Sequence, residues 1–355
     1  MAIRRYFPWL LLACYAVALI WPQPALAQKA LELPGWPVWA GEPRLPLLLP
    51  AAILFSAALS ASAIALSKKF LPDVDGDTGL LQRLGAQTVV AATVRAIGLL
   101  GRQFVLGRTI GEAIDEAAAQ RRGQASLRFS YDMLGEGART ERDAGRYLAA
   151  YREAIDTIAR HGSQAAESGA RGPEAADGIS IKLSALFSRY EEAQRERVFA
   201  ELLPRVWSLI EAAARADLNL TIDAEESERL ELSLDVFEAL AERIAAEFPR
   251  WRGFGLAIQS YQTRSLAVVD EVARIARANG LRFMVRLVKG AYWDGEIKRA
   301  QLDGQAGYPV WTRKAYTDVA YLACAKKMLA APAEIYPQFA THNAQTLAAV
   351  YALAG

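Results

Sequence analysis

The sequence predicts a parallel α/β fold, a (β/α)8-type (TIM-like) barrel that stops after about six βα units. Three observations lead there. Short strand-like runs alternate with amphipathic helical stretches at intervals of roughly thirty to fifty residues, the rhythm of parallel βαβ units. No Gly-x-Gly-x-x-Gly turn follows the first run, which counts against a doubly wound dinucleotide-binding sheet. Charged or polar side chains gather just past the C-terminal end of each run, where barrel strands share one mouth. The first observation suits a doubly wound sheet as well; the other two favour the barrel.

Ahead of the barrel, Arg4 and Arg5 precede uncharged residues 9–21, then Pro22, Pro24 and Ala25-Leu26-Ala27. A basic start, a short apolar stretch and an Ala-x-Ala site describe a secretory signal peptide over 1–27. An uncleaved first transmembrane helix fits the same residues. Residues 45–66 carry no Asp, Glu, Lys or Arg and end at Lys68-Lys69. As a helix they span about 30 Å, enough to cross a bilayer core, so a transmembrane helix is expected and a buried core helix is the alternative. With both basic pairs inside, residues 28–44 face outward and the rest lies on the cytoplasmic side of an inner membrane. Residues 73–123 read as a polar hinge and a helical arm, with Leu80, Leu81 and Leu84, then Ile97, Leu100 and Phe104, at helical spacing.

The barrel itself occupies 124–355. Its strands are expected at 126–134, 178–183, 218–223, 253–259, 282–288 and 334–341, and its helices at 141–160, 190–216, 226–247, 264–279 and 312–331. The first strand exits through Tyr131-Asp132-Met133-Leu134-Gly135-Glu136, and the second carries Lys182 and Ser184. The third ends in Asp223-Ala224-Glu225-Glu226 and the fourth in Gln259-Ser260-Tyr261-Gln262. The fifth leaves through Arg286-Leu287-Val288-Lys289-Gly290-Ala291-Tyr292-Trp293, and the sixth ends in Thr341-His342-Asn343. Polar groups after all six strands exceed what helix capping needs and point to a shared site.

Several functions are excluded or weakened. Net charge is only +2, from 41 basic and 39 acidic residues, so no basic field exists to attract nucleic acid. Cys14 and Cys324 are far apart, and only His161 and His342 represent histidine, so neither a disulfide framework nor a metal centre is expected. No serine–histidine–acid set stands at readable spacing. Paired carboxylates suit a glycosidase, but Lys182, Arg286 and Lys289 match them and would clamp an anion. Cations beside Tyr292 and Trp293 better suit a phosphate-bearing aromatic cofactor, with Gly290 allowing close backbone approach. The bland alternatives are core packing for Trp293 and a structural ion pair for Lys182.

These segments, together with Ile179-Ser180-Ile181-Lys182-Leu183-Ser184-Ala185-Leu186, Tyr308-Pro309-Val310-Trp311-Thr312-Arg313-Lys314 and Phe339-Ala340-Thr341-His342-Asn343, resemble the proline dehydrogenase family. The likeness runs from about Gly101 to Gly355 and is strongest to the flavin-binding barrel of the bifunctional proline utilisation proteins. It implies FAD-dependent oxidation of L-proline to 1-pyrroline-5-carboxylate, with electrons passed to a membrane quinone. It implies catalytic roles for Lys182, Asp223, Arg286 and Tyr292, with Lys182 on the proline carboxylate. It further implies FAD contacts from Asp223, Gln259, Arg286, Val288, Lys289, Gly290, Ala291, Trp293, Thr312, Arg313, Lys314, Thr341, His342 and Asn343. The family's last helix, with a tyrosine and two adjacent arginines, has no counterpart before Gly355. The expectation is therefore a chain that binds proline poorly alone, completed by a second polypeptide or further segment. The alternative is a catalytically inactive, membrane-anchored remnant.

Overall fold

The computed structural model describes residues 105–133, 135–165 and 172–355. Their frame is six short strands: β1 (Ser130–Asp132), β2 (Gly178–Ile181), β3 (Asn219–Ile222), β4 (Phe254–Gln259), β5 (Phe283–Val288) and β6 (Ile335–Phe339). They pair in parallel in the order β1-β2-β3-β4-β5-β6, so each strand lies beside its sequence neighbour. A doubly wound sheet reverses its order at a switch point; this sheet does not. The winding is that of a barrel, and β1 and β6 are its two edge strands.

The helices are α1 (Ile110–Gly123), α2 (Glu141–Ala165), the single turn α3 (Leu183–Leu186), α4 (Leu203–Arg215), α5 (Leu230–Glu247), α6 (Ser265–Asn279), α7 (Trp293–Leu302), α8 (Lys314–Leu329) and α9 (Ala344–Ala354). Alternation along a strand sends successive side chains to opposite faces. Ile179, Ile181, Leu220, Ile222, Leu256, Ile258, Val285 and Leu287 go outward and are buried beneath the helices. Phe237 of α5 packs on Phe254 and Phe283 with ring centroids 4.6 and 4.8 Å away. Each such ring contributes roughly 1.5–3 kcal/mol by burial. The other face carries Ser130, Asp132, Ser180, Thr221 and Arg286, and all of these but Thr221 enter the polar cluster described below.

Differences from the sequence expectations have local causes. Strand 126–134 shrinks to β1 because Leu127 N–H donates to the Gln124 carbonyl in a turn. Helix 190–216 is interrupted by a π-turn, Val198–Leu202, just before Pro204 at the start of α4. Proline has no N–H for the regular ladder, and the wider turn absorbs the defect. The unexpected α7 is fixed from outside: the Glu296 carboxylate accepts from Ser227 N–H (2.6 Å) and its hydroxyl (2.5 Å). Helix α1 buries Ala113, Ile114 and Ala117 in the common core, and the contact-defined unit runs Val105–Gly355, so this part of the expected 73–123 arm is built into the barrel unit. Among the described residues no helix is long and apolar enough to cross a membrane. The segments expected at 1–27 and 45–66 lie outside the described residues, as does the arm before residue 105.

Candidate functional site

At the C-terminal ends of β1, β2, β3 and β5, two carboxylates and two cations interlock. Lys182, the residue after β2, places Nζ 3.1 Å from Asp132 Oδ2 and 3.0 Å from Asp223 Oδ2. Arg286, inside β5, donates from Nη1 to Asp223 Oδ1 (3.4 Å) and Ser180 Oγ (2.8 Å), and from Nη2 to Ser130 Oγ (2.6 Å). The strand register puts these residues on one face, bringing β5 across the sheet's curvature to β1 and β2. Burial works against the Lys182 ammonium, yet Asp223 and Asp132 outweigh it and raise its pKa above the ordinary lysine value. Burial pushes the Asp223 carboxyl up, and Lys182 and Arg286 restrain that rise.

The loop after β5 is held from beneath. Gly290 has φ +142°, and a Cβ there would stand 2.4 Å from the Tyr261 ring. Both ends of the buried Gln259 amide are engaged: Oε1 accepts from Ala291 N–H (3.2 Å) and Nε2 donates to the Glu225 carbonyl (2.8 Å). The Glu225 carboxylate in turn accepts from Ser184 N–H (3.0 Å) and pairs with Arg229 at 2.8 Å. One chain of hydrogen bonds thus links the exits of β2, β3, β4 and β5. Tyr292 donates its hydroxyl to Glu136 Oε2 (3.0 Å), reaching from β5's exit to β1's. Burial, followed by Glu136, raises its phenol pKa.

A second cationic group stands farther along. Lys289 pairs with Asp318 (2.6 Å) and donates to Thr346 Oγ1 (3.3 Å), while Lys314 meets the other Asp318 oxygen at 2.5 Å. Burial opposes ionisation of Asp318, but the two lysines win and hold its pKa low. Thr312 and Arg313, which precede Lys314 in the chain, and His342 are exposed. Trp293 is 41% exposed and donates Nε1–H to the Trp311 carbonyl (2.8 Å), so it is not a core residue. Thr341 Oγ1 accepts from Asn343 N–H (3.0 Å), and Asn343 caps α9 by accepting from Thr346 N–H (2.9 Å). Val288 accepts from Ser260 N–H through its carbonyl at 2.8 Å.

Of the residues singled out from sequence, Lys182, Asp223 and Arg286 meet directly. Gln259 holds Ala291 in the loop after β5, Tyr292 reaches Glu136 at the exit of β1, and Lys289 and Lys314 meet at Asp318. Sequence reasoning passed over Ser130, Ser180 and Asp318. The first two were findable, since both are polar residues at inward-alternating strand positions.

A barrel-wound sheet whose charged groups converge at the strand C-termini has the layout of a (β/α)-barrel enzyme. A family model described as proline dehydrogenase matches residues 114–355, and the chain belongs to that family. The Bifunctional protein PutA of Escherichia coli (strain K12) is 54% identical over 260 residues, 73% of this chain and 19% of that protein. The Rhizobium meliloti PutA is 45% identical over 278 residues, 78% of this chain and 21% of that protein. Among solved structures, a variant of Bradyrhizobium japonicum Proline Utilization A superposes with a TM-score of 0.66 at 49% identity, covering 80% of this chain and 28% of that one. This chain spans about a fifth of the length of those curated relatives.

Proposed function

We propose that this barrel unit oxidises L-proline to 1-pyrroline-5-carboxylate with FAD as the oxidant, within proline catabolism. The observation that carries the proposal is the cluster of Lys182 and Arg286 with Asp132 and Asp223 at the mouth of a barrel of this family. Lysine has three N–H donors, of which Asp132 and Asp223 take two. The third is available for the proline carboxylate. Tyr292 and Asp223 border the substrate, and Glu136 holds the Tyr292 hydroxyl.

The donor set fits FAD. Lys289, Lys314, Arg313 and His342 supply cationic or polar donors for phosphates, with Thr312, Thr341 and Asn343 beside them. Trp293 offers an exposed aromatic face for adenine. Val288, Lys289, Gly290 and Ala291 bring backbone to the same mouth, and Gln259 holds that backbone in place. Gln338 Oε1, one strand from Arg286 in register, is buried with no hydrogen-bond partner among the described residues. FAD held there would supply the hydride acceptor for the carbon beside the proline ring nitrogen, while these residues orient the substrate and fix the charges around it.

The proposed location is the cytoplasmic face of the inner membrane, with residues 45–66 as the attachment, residues 1–27 as a signal peptide or a first transmembrane segment, and a bilayer quinone as electron acceptor. The basic pairs Arg4-Arg5 and Lys68-Lys69 support that orientation. The deciding experiment loads the purified full chain with FAD and adds L-proline without oxygen. Bleaching of flavin absorbance by L-proline but not D-proline is expected, followed by reoxidation on adding a quinone. A flavin-loaded chain that stays oxidised even at L-proline concentrations high enough to offset weak binding would refute the proposal.

A further inference from the structure

We infer that Ser130 and Ser180 are positioning residues for Arg286: together they form a two-hydroxyl seat that fixes the guanidinium over the barrel mouth. The inference rests on the proposed function for what Arg286 serves, and on geometry for the seat itself. Ser180 Oγ accepts from Arg286 Nη1 at 2.8 Å, and Ser130 Oγ accepts from Nη2 at 2.6 Å. The hydroxyls touch each other at 3.1 Å, so each restrains its neighbour. Ser180 is 1% exposed.

The N–H count shows what the seat does. Arginine has five donors in one plane. Nη1 spends both of its hydrogens, on Ser180 and Asp223, and Nη2 spends one on Ser130. One Nη2–H and the Nε–H have no acceptor among the described residues. Three acceptors, one on each of β1 and β2 and one at the end of β3, fix the tilt and roll of the plane. Asp223 alone, at 3.4 Å, leaves the plane free to rotate about that contact and also answers to Lys182 at 3.0 Å. The serines therefore decide where the two remaining N–H groups point. They are neutral, so they orient the cation without cancelling the charge that a reduced, electron-rich cofactor would be stabilised by.

The test compares the parent chain with Ser130→Ala, Ser180→Ala and the double variant, and repeats all three in an Arg286→Lys background. A guanidinium that loses its seat stabilises added electrons less, so the midpoint potential of bound FAD falls. The double variant is expected to shift the reduction equilibrium about tenfold, ~30 mV for a two-electron couple, with little further shift when Arg286 is already lysine. Ser130→Thr and Ser180→Thr keep the hydroxyl and restore the parent potential. An unchanged potential, or an equal shift in the Arg286→Lys background, overturns the inference while leaving proline oxidation intact. If the parent chain holds no FAD, the proposed function fails and the seat is read from thermal unfolding. The serine-to-alanine loss in Tm then appears with Arg286 present and disappears with Arg286→Met; equal losses in both backgrounds overturn the seat.

Discussion

Replacing Lys182 by methionine keeps the length of the side chain and removes one of the two cations that compensate Asp132 and Asp223. Breaking a buried ion pair by deleting one partner costs about 3–5 kcal/mol. Two features reduce that figure here. The Asp132 side chain is 39% exposed, and Asp223 keeps Arg286 at 3.4 Å. A loss of about 2–3 kcal/mol follows at neutral pH, or a Tm lower by roughly 5–10 °C for a unit of this size. Its pH dependence separates electrostatics from packing. Burial already raises the Asp223 carboxyl, and losing Lys182 raises it further. A carboxyl raised in the folded state favours folding below its unfolded pKa, about 3.9, and loses that contribution as pH rises through its folded pKa. The Lys182 contribution, raised above the ordinary lysine value, is constant across this range and is lost only in alkali. The parent and variant Tm curves should therefore converge near pH 4 and separate by pH 7.5. Differential scanning calorimetry across that range checks it. Parallel curves would refute the reasoning and assign the cost to the lysine stem.

Gly290→Ala should destabilise the chain by about 1–3 kcal/mol, because φ is +142° and the new Cβ meets the Tyr261 ring at 2.4 Å; urea unfolding measures the loss, and fluorescence of Trp293 reports the displaced loop. Glu225→Gln keeps an acceptor for Ser184 N–H and weakens only the Arg229 pair, whereas Glu225→Ala abandons both. The alanine variant should cost at least twice as much as the glutamine one in the same assay, with its loss near 3 kcal/mol. Asp132→Asn leaves two cations facing one carboxylate, so under the proposed function L-proline binding should weaken about tenfold relative to a ring monocarboxylate lacking the amine, read by competition titration.

The six strands were legible because their outward positions are uniformly apolar, from Ile179 and Ile181 through Val285 and Leu287. Periodicity alone left their order open between a barrel and a doubly wound sheet; the missing Gly-x-Gly-x-x-Gly turn and the polar strand ends favoured the barrel, and the strands do pair in sequence order from β1 through β6. Lys182, Asp223 and Arg286 announced themselves by charge at strand ends. Ser130 and Ser180 did not: their inward alternation was readable, but an uncharged serine says nothing of its role until a guanidinium is found 2.6–2.8 Å away. Helix α7 escaped notice for a related reason. Its sequence, Trp293-Asp294-Gly295-Glu296, carries a helix-weakening glycine, and its anchor is Ser227, sixty-nine residues earlier.

Compensation within the mouth also bears on which molecules enter it. Lys182 and Arg286 balance Asp132 and Asp223, so the four side chains sum to zero formal charge while keeping positive and negative ends apart. A dicarboxylate entering such a mouth gains two cations but meets two carboxylates and has no charge of its own to offer them. A zwitterion has both. Under the proposed function, the carboxylate of L-proline takes the third Lys182 N–H and the unspent Arg286 donors, while its amine finds an acidic side chain nearby. Asp132 and Glu136, both exposed at the exit of β1, are placed for that. Selection for an amino acid over a simple acid then follows from the carboxylates as much as from the cations. The pairing of Lys182 with Asp132 then serves both structure and substrate selection, because the ion pair that stabilises the mouth also helps set its net charge to zero.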